Sequence, residues 1–156
     1  MKHILIILSL FLFSFTFISC TSTDDTTSTD NSTSTDNTTT STWTKQLGTS
    51  SSDRGNGVIT DSSGNIYVSG YTEGNLDGNT NSGQGDIFLV KYNSSGTKQW
   101  TKQLGTSSED EGKDVTTDSS GNIYVTGKTN GGLDGNTSSG GTDIFLVKYN
   151  SSGTKQ

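Results

Sequence analysis

From Trp43 onward the chain is two copies of one 57-residue sequence, joined without a gap. Trp43 returns as Trp100, Leu47 as Leu104, Val58 as Val115, Asp61 as Asp118, Tyr67 as Tyr124 and Phe88 as Phe145. Aligned over 43–99 and 100–156, the copies differ at 12 positions and agree at the other 45. Seven differences fall within 52–59 and 69–71, and the rest are at 73, 75, 81, 84 and 85. Two units this alike must adopt the same local structure and then pack on each other. Repeats of roughly this length point to propellers or other arrays before any other fold.

Each unit reads as four short strands. The first is Asn56–Asp61, followed by the turn Asp61-Ser62-Ser63-Gly64, in which Asp binds its own backbone and Gly supplies a positive φ. The second, Asn65–Tyr71, alternates Ile66, Val68 and Gly70 with Tyr67 and Ser69. A Gly-rich loop, 72–85, leads to Asp86–Tyr92, whose unbroken Ile-Phe-Leu-Val suits a strand covered on both faces. Asn93-Ser94-Ser95-Gly96 is a second tight turn, and the fourth strand is Thr97–Leu104. The chain has no alanine and 20 glycines, and its β-branched and aromatic content argues against helix.

Four antiparallel strands with the pattern Asp-x-x-Gly-Asn-Ile-Tyr-Val-x-Gly resemble one blade of a propeller, and specifically the SBBP repeat of bacterial cell-surface proteins. The residues that carry the resemblance are Asp61, Gly64–Val68, Gly70, Asp86–Tyr92, Gly96 and Trp100, and in the second copy Asp118, Gly121–Val125, Gly127, Asp143–Tyr149 and Gly153. It implies a fold and a surface habitat, since the family shares no common chemistry. The expected fold class is therefore all-β: two four-stranded antiparallel propeller-type blades, 43–99 and 100–156. Propellers close with four to eight blades, so this one is incomplete. The chain begins its repeats at a fourth strand, Trp43–Leu47, and two readings follow. Either that strand pairs with the second blade's third strand or with a neighbouring chain, so that self-association completes a propeller, or the chain is a truncated fragment of a longer repeat protein. Two isolated blades would in any case expose edges and half of their core.

Ahead of the repeats, residues 1–19 read as a lipoprotein signal peptide: Met-Lys-His, an apolar run from Ile4 to Ile18, then Ser19. The run is shorter than the ~20 residues of a spanning helix. Phe17-Ile18-Ser19-Cys20 resembles the bacterial lipobox, with Phe departing from the usual Leu, and this implies a lipid on Cys20 and a membrane anchor. Residues 20–42 are then the lipidated Cys followed by a tether of only Thr, Ser, Asp and Asn, which has nothing to bury and is expected to be disordered. Its 22 residues beyond Cys20 would span roughly 25 Å. The expected location is the cell envelope, on the outer membrane or cell surface.

The single Met, His and Cys all lie within residues 1–20. The repeats therefore lack imidazole and thiol, which excludes Ser/His and Cys/His nucleophile pairs, Cys/His zinc sites and structural disulfides there. A net charge of −6 with scattered lysines argues against nucleic acid. Three candidate sites remain. Asp77, Asn79 and Asn81, with Asp86 nine residues beyond Asp77, space oxygen ligands as calcium loops do, and Asp134, Asn136 and Asp143 repeat them with Ser138 in the third place. Neither copy has a Glu twelve residues on, and a flexible Asx-rich loop explains the same residues, so no cofactor is required. Asp61 and Asp118 can be read as the acids of a hydrolase, since propeller glycosidases use carboxylate pairs, but with Gly64 and Gly121 they are explained as blade turns. Trp43, Trp100, Tyr67, Tyr71 and Tyr92 can be a sugar platform or blade-to-blade packing. The resulting expectation is a non-enzyme: a membrane-anchored surface lipoprotein that binds, adheres or displays, with an extracellular protein or glycan as ligand. The alternative is a secreted hydrolase-like propeller enzyme or its inactive relic.

Overall fold

Alternating apolar side chains and two turn signals per unit give strands, and the strands give two sheets. The computed structural model describes residues 42–156; the signal peptide, Cys20 and nearly all of the tether lie outside them. The first blade is an antiparallel sheet of four strands in the order β1 (Asp53–Thr60), β2 (Ile66–Thr72), β3 (Asp86–Tyr92) and β4 (Lys98–Leu104). The second contains β5 (Asp110–Thr117), β6 (Ile123–Thr129) and β7 (Asp143–Tyr149) in that order. Its two ladders repeat those of the first blade: Val58 faces Val68 as Val115 faces Val125, and Val68 faces Val90 as Val125 faces Val147.

The second and third strands of each unit begin and end close to their expected limits, the first starts three residues before its expected Asn56, and two further elements differ. Among the described residues Trp43–Leu47 joins no ladder, and blade two has three strands rather than four. The two departures are complementary: among the described residues Trp43–Leu47 is a fourth-strand sequence with no third strand beside it, and β7 is a third strand with no full fourth strand beside it. The Trp43 ring lies instead on the β3–β4 turn of blade one, where a Cβ on Gly96 would come within 2.7 Å of Trp43 Cδ2. At the other end a fourth strand is only started: Gln156 N–H donates to the Lys148 carbonyl at 3.0 Å, and Lys155 bridges Tyr149.

The Asp61 turn follows the expectation closely. Gly64 N–H donates to the Asp61 carbonyl at 3.0 Å with Gly64 at φ 77°, which a residue with a Cβ adopts only at a cost. A second local feature was not legible: the ladder slips between Gly55 and Gly57, and again between Gly112 and Asp114. The extra residues are Asn56 and Lys113. Such a bulge kinks the strand and re-aims a side chain, and Asn56 is aimed at the second blade.

The sheets stack face to face, with β5 lying against β1, β2 and β3. Side chains alternate along β3, so Ile87 and Leu89 point toward the second blade while Phe88, Val90 and Tyr92 point away. The main core joins Tyr67, Ile87 and Leu89 of blade one to Val115, Ile123, Val125, Leu133, Val147 and Tyr149 of blade two. A second cluster, Leu76, Phe88, Val90 and Tyr92, lies on the outer face of blade one. The run Ile-Phe-Leu-Val is covered on both faces in β3, as expected, but not in β7, where Ile144 and Leu146 are 92% and 72% exposed.

Candidate functional site

The carboxylates that could do chemistry are best judged by what already binds them. Asp61 Oδ1 accepts the Ser63 and Asn65 backbone N–H groups, both at 2.9 Å. Its Oδ2 accepts the Asn65 amide at 2.8 Å and the Tyr67 hydroxyl at 3.0 Å. Burial pushes this carboxyl up, but those four donors outweigh it and hold it below the usual aspartate range. Asp118 is bound in the same way by Ser120, Asn122 and Tyr124. The Asn122 side chain and backbone pull it down to about 2. Each is therefore a fixed anion closing a turn onto a tyrosine, the fully buried Tyr67 in blade one and the half-buried Tyr124 in blade two. Asp61 and Asp118 sit on equivalent turns of separate blades, each held by donors of its own turn and following strand.

A carboxylate outside the sequence-derived candidates recurs in both blades. Asp53 Oδ2 accepts the Thr49 N–H, and Asp53 Oδ1 accepts the Thr72 hydroxyl, both at 2.6 Å. Asp110 holds Thr106 and Thr129 in the same way and is fully buried. The signal was available, because Thr49, Asp53 and Thr72 all survive in the repeat, but nothing in their spacing says that one carboxylate ties a loop to a strand.

In the loop proposed for calcium, Asp77 pairs with Lys98 and stands at φ 54°, and Asp134 pairs with Lys155 at φ 58°. Asn79 donates to the Leu76 carbonyl at 2.8 Å, and Asn136 to that of Leu133 at 2.8 Å. Asn81 donates to the Glu73 and Gly83 carbonyls at 3.1 and 2.8 Å. Asp86 is fully buried, and its Oδ2 accepts the Ser82 N–H at 2.9 Å and the Gln103 amide at 3.0 Å. Burial, with a smaller contribution from Asp110, pushes it up. Asp143 accepts the Ser138 hydroxyl and the Ser139 N–H, both at 2.9 Å. Among the described residues, no three acidic, histidine or cysteine side chains converge as a metal site would need.

Of the aromatic candidates, Tyr67 and Trp100 pack in the core between blades, whereas Tyr92 belongs to the outer-face cluster of blade one and Trp43 is exposed. The Trp100 and Tyr67 rings lie 6.1 Å apart, inclined at 48°, and Trp100 covers the Gly153 turn of blade two as Trp43 covers the Gly96 turn of blade one. Tyr67 is fully buried, so it offers a sugar no face. Tyr71 is half-buried, with its ring on Gly85 and its hydroxyl donating to Glu73 at 2.7 Å.

Among the described residues, large apolar side chains are exposed in two places: the β7 face with Ile144 and Leu146, and a groove of about 350 Å³ on blade one with Trp43 and Val58 on its exposed rim and the buried Leu76 and Val90 at its floor. The sequence hid this asymmetry, because identical repeats give every blade the same pattern and only the ends differ.

Comparison with known proteins fits the repeat type. The SBBP β-propeller repeat model matches residues 42–77 and 99–134. An uncharacterized WD repeat-containing protein of Acanthamoeba polyphaga mimivirus is 44% identical over 64 residues, which is 41% of this chain and 5% of that protein. The regulatory protein FlaEY of Caulobacter vibrioides is 34% identical over 74 residues, 46% of this chain and 8% of its own length. The chain therefore spans only a small fraction of either relative. These relatives are named as repeat or regulatory proteins, not as enzymes.

Proposed function

We propose that this chain is a non-catalytic interaction module of the bacterial cell envelope, lipid-anchored at Cys20, held off the membrane by residues 21–42 and presenting propeller-type blades to an extracellular protein or glycan. One observation carries the non-catalytic part of this reading. The carboxylates that sequence picks out as acids, Asp61 and Asp118, are each saturated by four structural donors. A general acid must exchange its proton freely near working pH, and anions held this low do not. The apolar surface left at both ends of the blade pair supports binding over chemistry, since contiguous exposed apolar patches mark interaction sites. The anchor rests on the sequence of residues 1–20 alone, and two or three acyl chains at ~0.8 kcal/mol per buried methylene hold a protein stably. The test is expression of the full chain in a bacterium treated with globomycin, which blocks lipoprotein signal cleavage. A larger precursor, and loss of membrane association in Cys20→Ser, is the expected result. Unchanged migration in both cases would overturn the anchor.

A further inference from the structure

The two open surfaces are repeat copies of the two surfaces already joined inside the molecule. Internally, Ile87 and Leu89, 2% and 1% exposed, pack with Tyr67 against Val115, Ile123, Val125, Leu133 and Val147. Fifty-seven residues later, Ile144 and Leu146 present the same side chains to solvent. Fifty-seven residues earlier, the groove on blade one is lined by Val58, Ile66, Val68, Leu76 and Val90, each identical to its counterpart at the internal interface. Each chain thus carries one spare plug and one spare socket, at opposite ends.

We infer that the socket is filled by a second copy of this chain, joined head to tail, with its Ile144–Leu146 face on the Val58–Val90 groove of the first. The strand edges demand the same partner in the same pose. Trp43–Leu47 is residue for residue the sequence of Trp100–Leu104, and β7 is residue for residue β3. In blade one these strands pair with Ile87 opposite Leu104 and Lys91 opposite Trp100. In blade two the outer edge of β7 is engaged, among the described residues, only by the Lys155 bridge to Tyr149 and the Gln156 N–H on the Lys148 carbonyl. Trp43 already lies over Gly96 as Trp100 lies over Gly153, so its segment sits where the fourth strand of a preceding blade belongs. One placement therefore fills the groove and completes the three-stranded blade, setting Ile144 opposite Leu47 and Lys148 opposite Trp43. A glycine agrees. A Cβ on Gly83 would come within 2.3 Å of the Thr106 carbonyl of the next blade, whereas Gly140 keeps the glycine with nothing within 4 Å. In the assembly Gly140 meets the Thr49–Ser50 backbone.

The rim is less well matched than the centre. Inside the chain the Asn56 amide donates to Glu111 at 3.0 Å and to the Gly112 carbonyl at 2.7 Å. The counterparts of Asn56 and Glu111 are Lys113 and Arg54, so two copies meet with like charges there. Asp114 also replaces Gly57, whose Cβ would already lie 3.0 Å from the Asp114 Cα across the internal interface. Association is therefore weaker than the internal contact, depends on concentration, and is strengthened by salt. A head-to-tail contact is heterologous and closes into a ring if its rotation allows. With four to eight blades per propeller, closure takes about two to four chains.

The test mixes two full-length variants, both carrying Cys20→Ser to remove the one native thiol. One also carries Lys45→Cys and the other Leu146→Cys, positions equivalent to the facing pair Lys102 and Leu89. Facing residues across strands lie within disulfide reach. Under mild oxidation the mixed 45–146 product should exceed either self-linked product. Arg54→Glu, which restores the acid of the internal rim, should raise its yield roughly threefold or more. Ile144→Asp should lower it by at least roughly tenfold. Because Ile144 is 92% exposed, that variant keeps its circular dichroism, which separates lost assembly from lost fold. The inference is overturned if mixed and self-linked products are equally abundant, or if neither substitution changes the yield. It is equally overturned if the chain sediments as a monomer up to ~100 µM, the weak end of specific association, whether or not another protein binds the groove. None of these failures touches the globomycin test of the anchor.

Discussion

Replacing the same isoleucine in each repeat isolates what the packing of one blade on another contributes. Ile87 and Ile144 occupy the same place in the strand Asp-Ile-Phe-Leu-Val-Lys-Tyr, and face Tyr71 and Lys128 respectively in the preceding strand. They differ in burial, 2% against 92% exposed, because only Ile87 has a following blade to lie on. Ile87→Ala removes the transfer free energy of the lost carbons and leaves a cavity, a combined cost of about 3 kcal/mol. Ile144→Ala removes groups already in water and should cost no more than about 0.5 kcal/mol. For a folded part of this size, about 3 kcal/mol corresponds to a fall in Tm of roughly 10 to 15 °C. The assay is urea unfolding of dilute chain, followed by tyrosine and tryptophan emission, with the slope checked for constancy so that the midpoint reports stability. Equal losses at the two positions would refute the reasoning, because they would place the cost within the blade instead of between blades. At concentrations that favour assembly, the Ile144→Ala cost should grow while that of Ile87→Ala stays unchanged.

Other consequences follow from the same geometry. Asp61→Ala should destabilise by about 2 kcal/mol in urea unfolding, since four donors lose their acceptor, and Asp118→Ala should shift the midpoint in the same direction. Because Asp118 is lowered to about 2 from an ordinary value near 3.8, and Asp61 is lowered too, their stabilisation is complete above pH 4 and lost as pH falls toward 2. Acid unfolding followed by circular dichroism should lie in that window, and a transition centred near pH 6 would contradict it. Tyr149 is pushed up to about 12 chiefly by burial, so its neutral form supports the fold below pH 10 and that support disappears as pH rises through 12; ultraviolet titration of phenolate reads it directly. Calcium at ~1 mM, the weak end of calcium-loop affinities, should leave Tm unchanged, because Asp77 and Asp134 are paired with Lys98 and Lys155; a clear rise would show that those lysines yield to the ion.

Much of the fold was legible because turn chemistry and alternation act locally. Asp61 and Gly64 specify their turn through their own backbone, and the strand Asp86–Tyr92 appears with the predicted limits. What was illegible depends on context that an identical repeat conceals. Ile144 and Ile87 lie in the same seven-residue strand sequence, so no pattern within the strand says that one is bare. Trp43–Leu47 has every feature of a strand but lacks the neighbour that would make it one. The bulge residues Asn56 and Lys113 carry no pattern signal, since an inserted residue merely shifts the alternation. Of the candidate sites, the role of Asp61 as a turn anion could be read locally. The Asp53–Thr72 and Asp86–Gln103 bonds, which reach across strands, could not.

Amide hydrogen exchange across a concentration series most directly tests the claim that each chain carries one free plug and one matching socket. In dilute solution the Thr44–Leu47 amides and the outer-edge amides of β7 should exchange rapidly, while the same residues of β3 and β4 stay protected. On concentration, both free segments should become protected together, at one shared midpoint, with the rest of the chain unchanged. Protection of one segment without the other, or of neither at any concentration, would contradict the account.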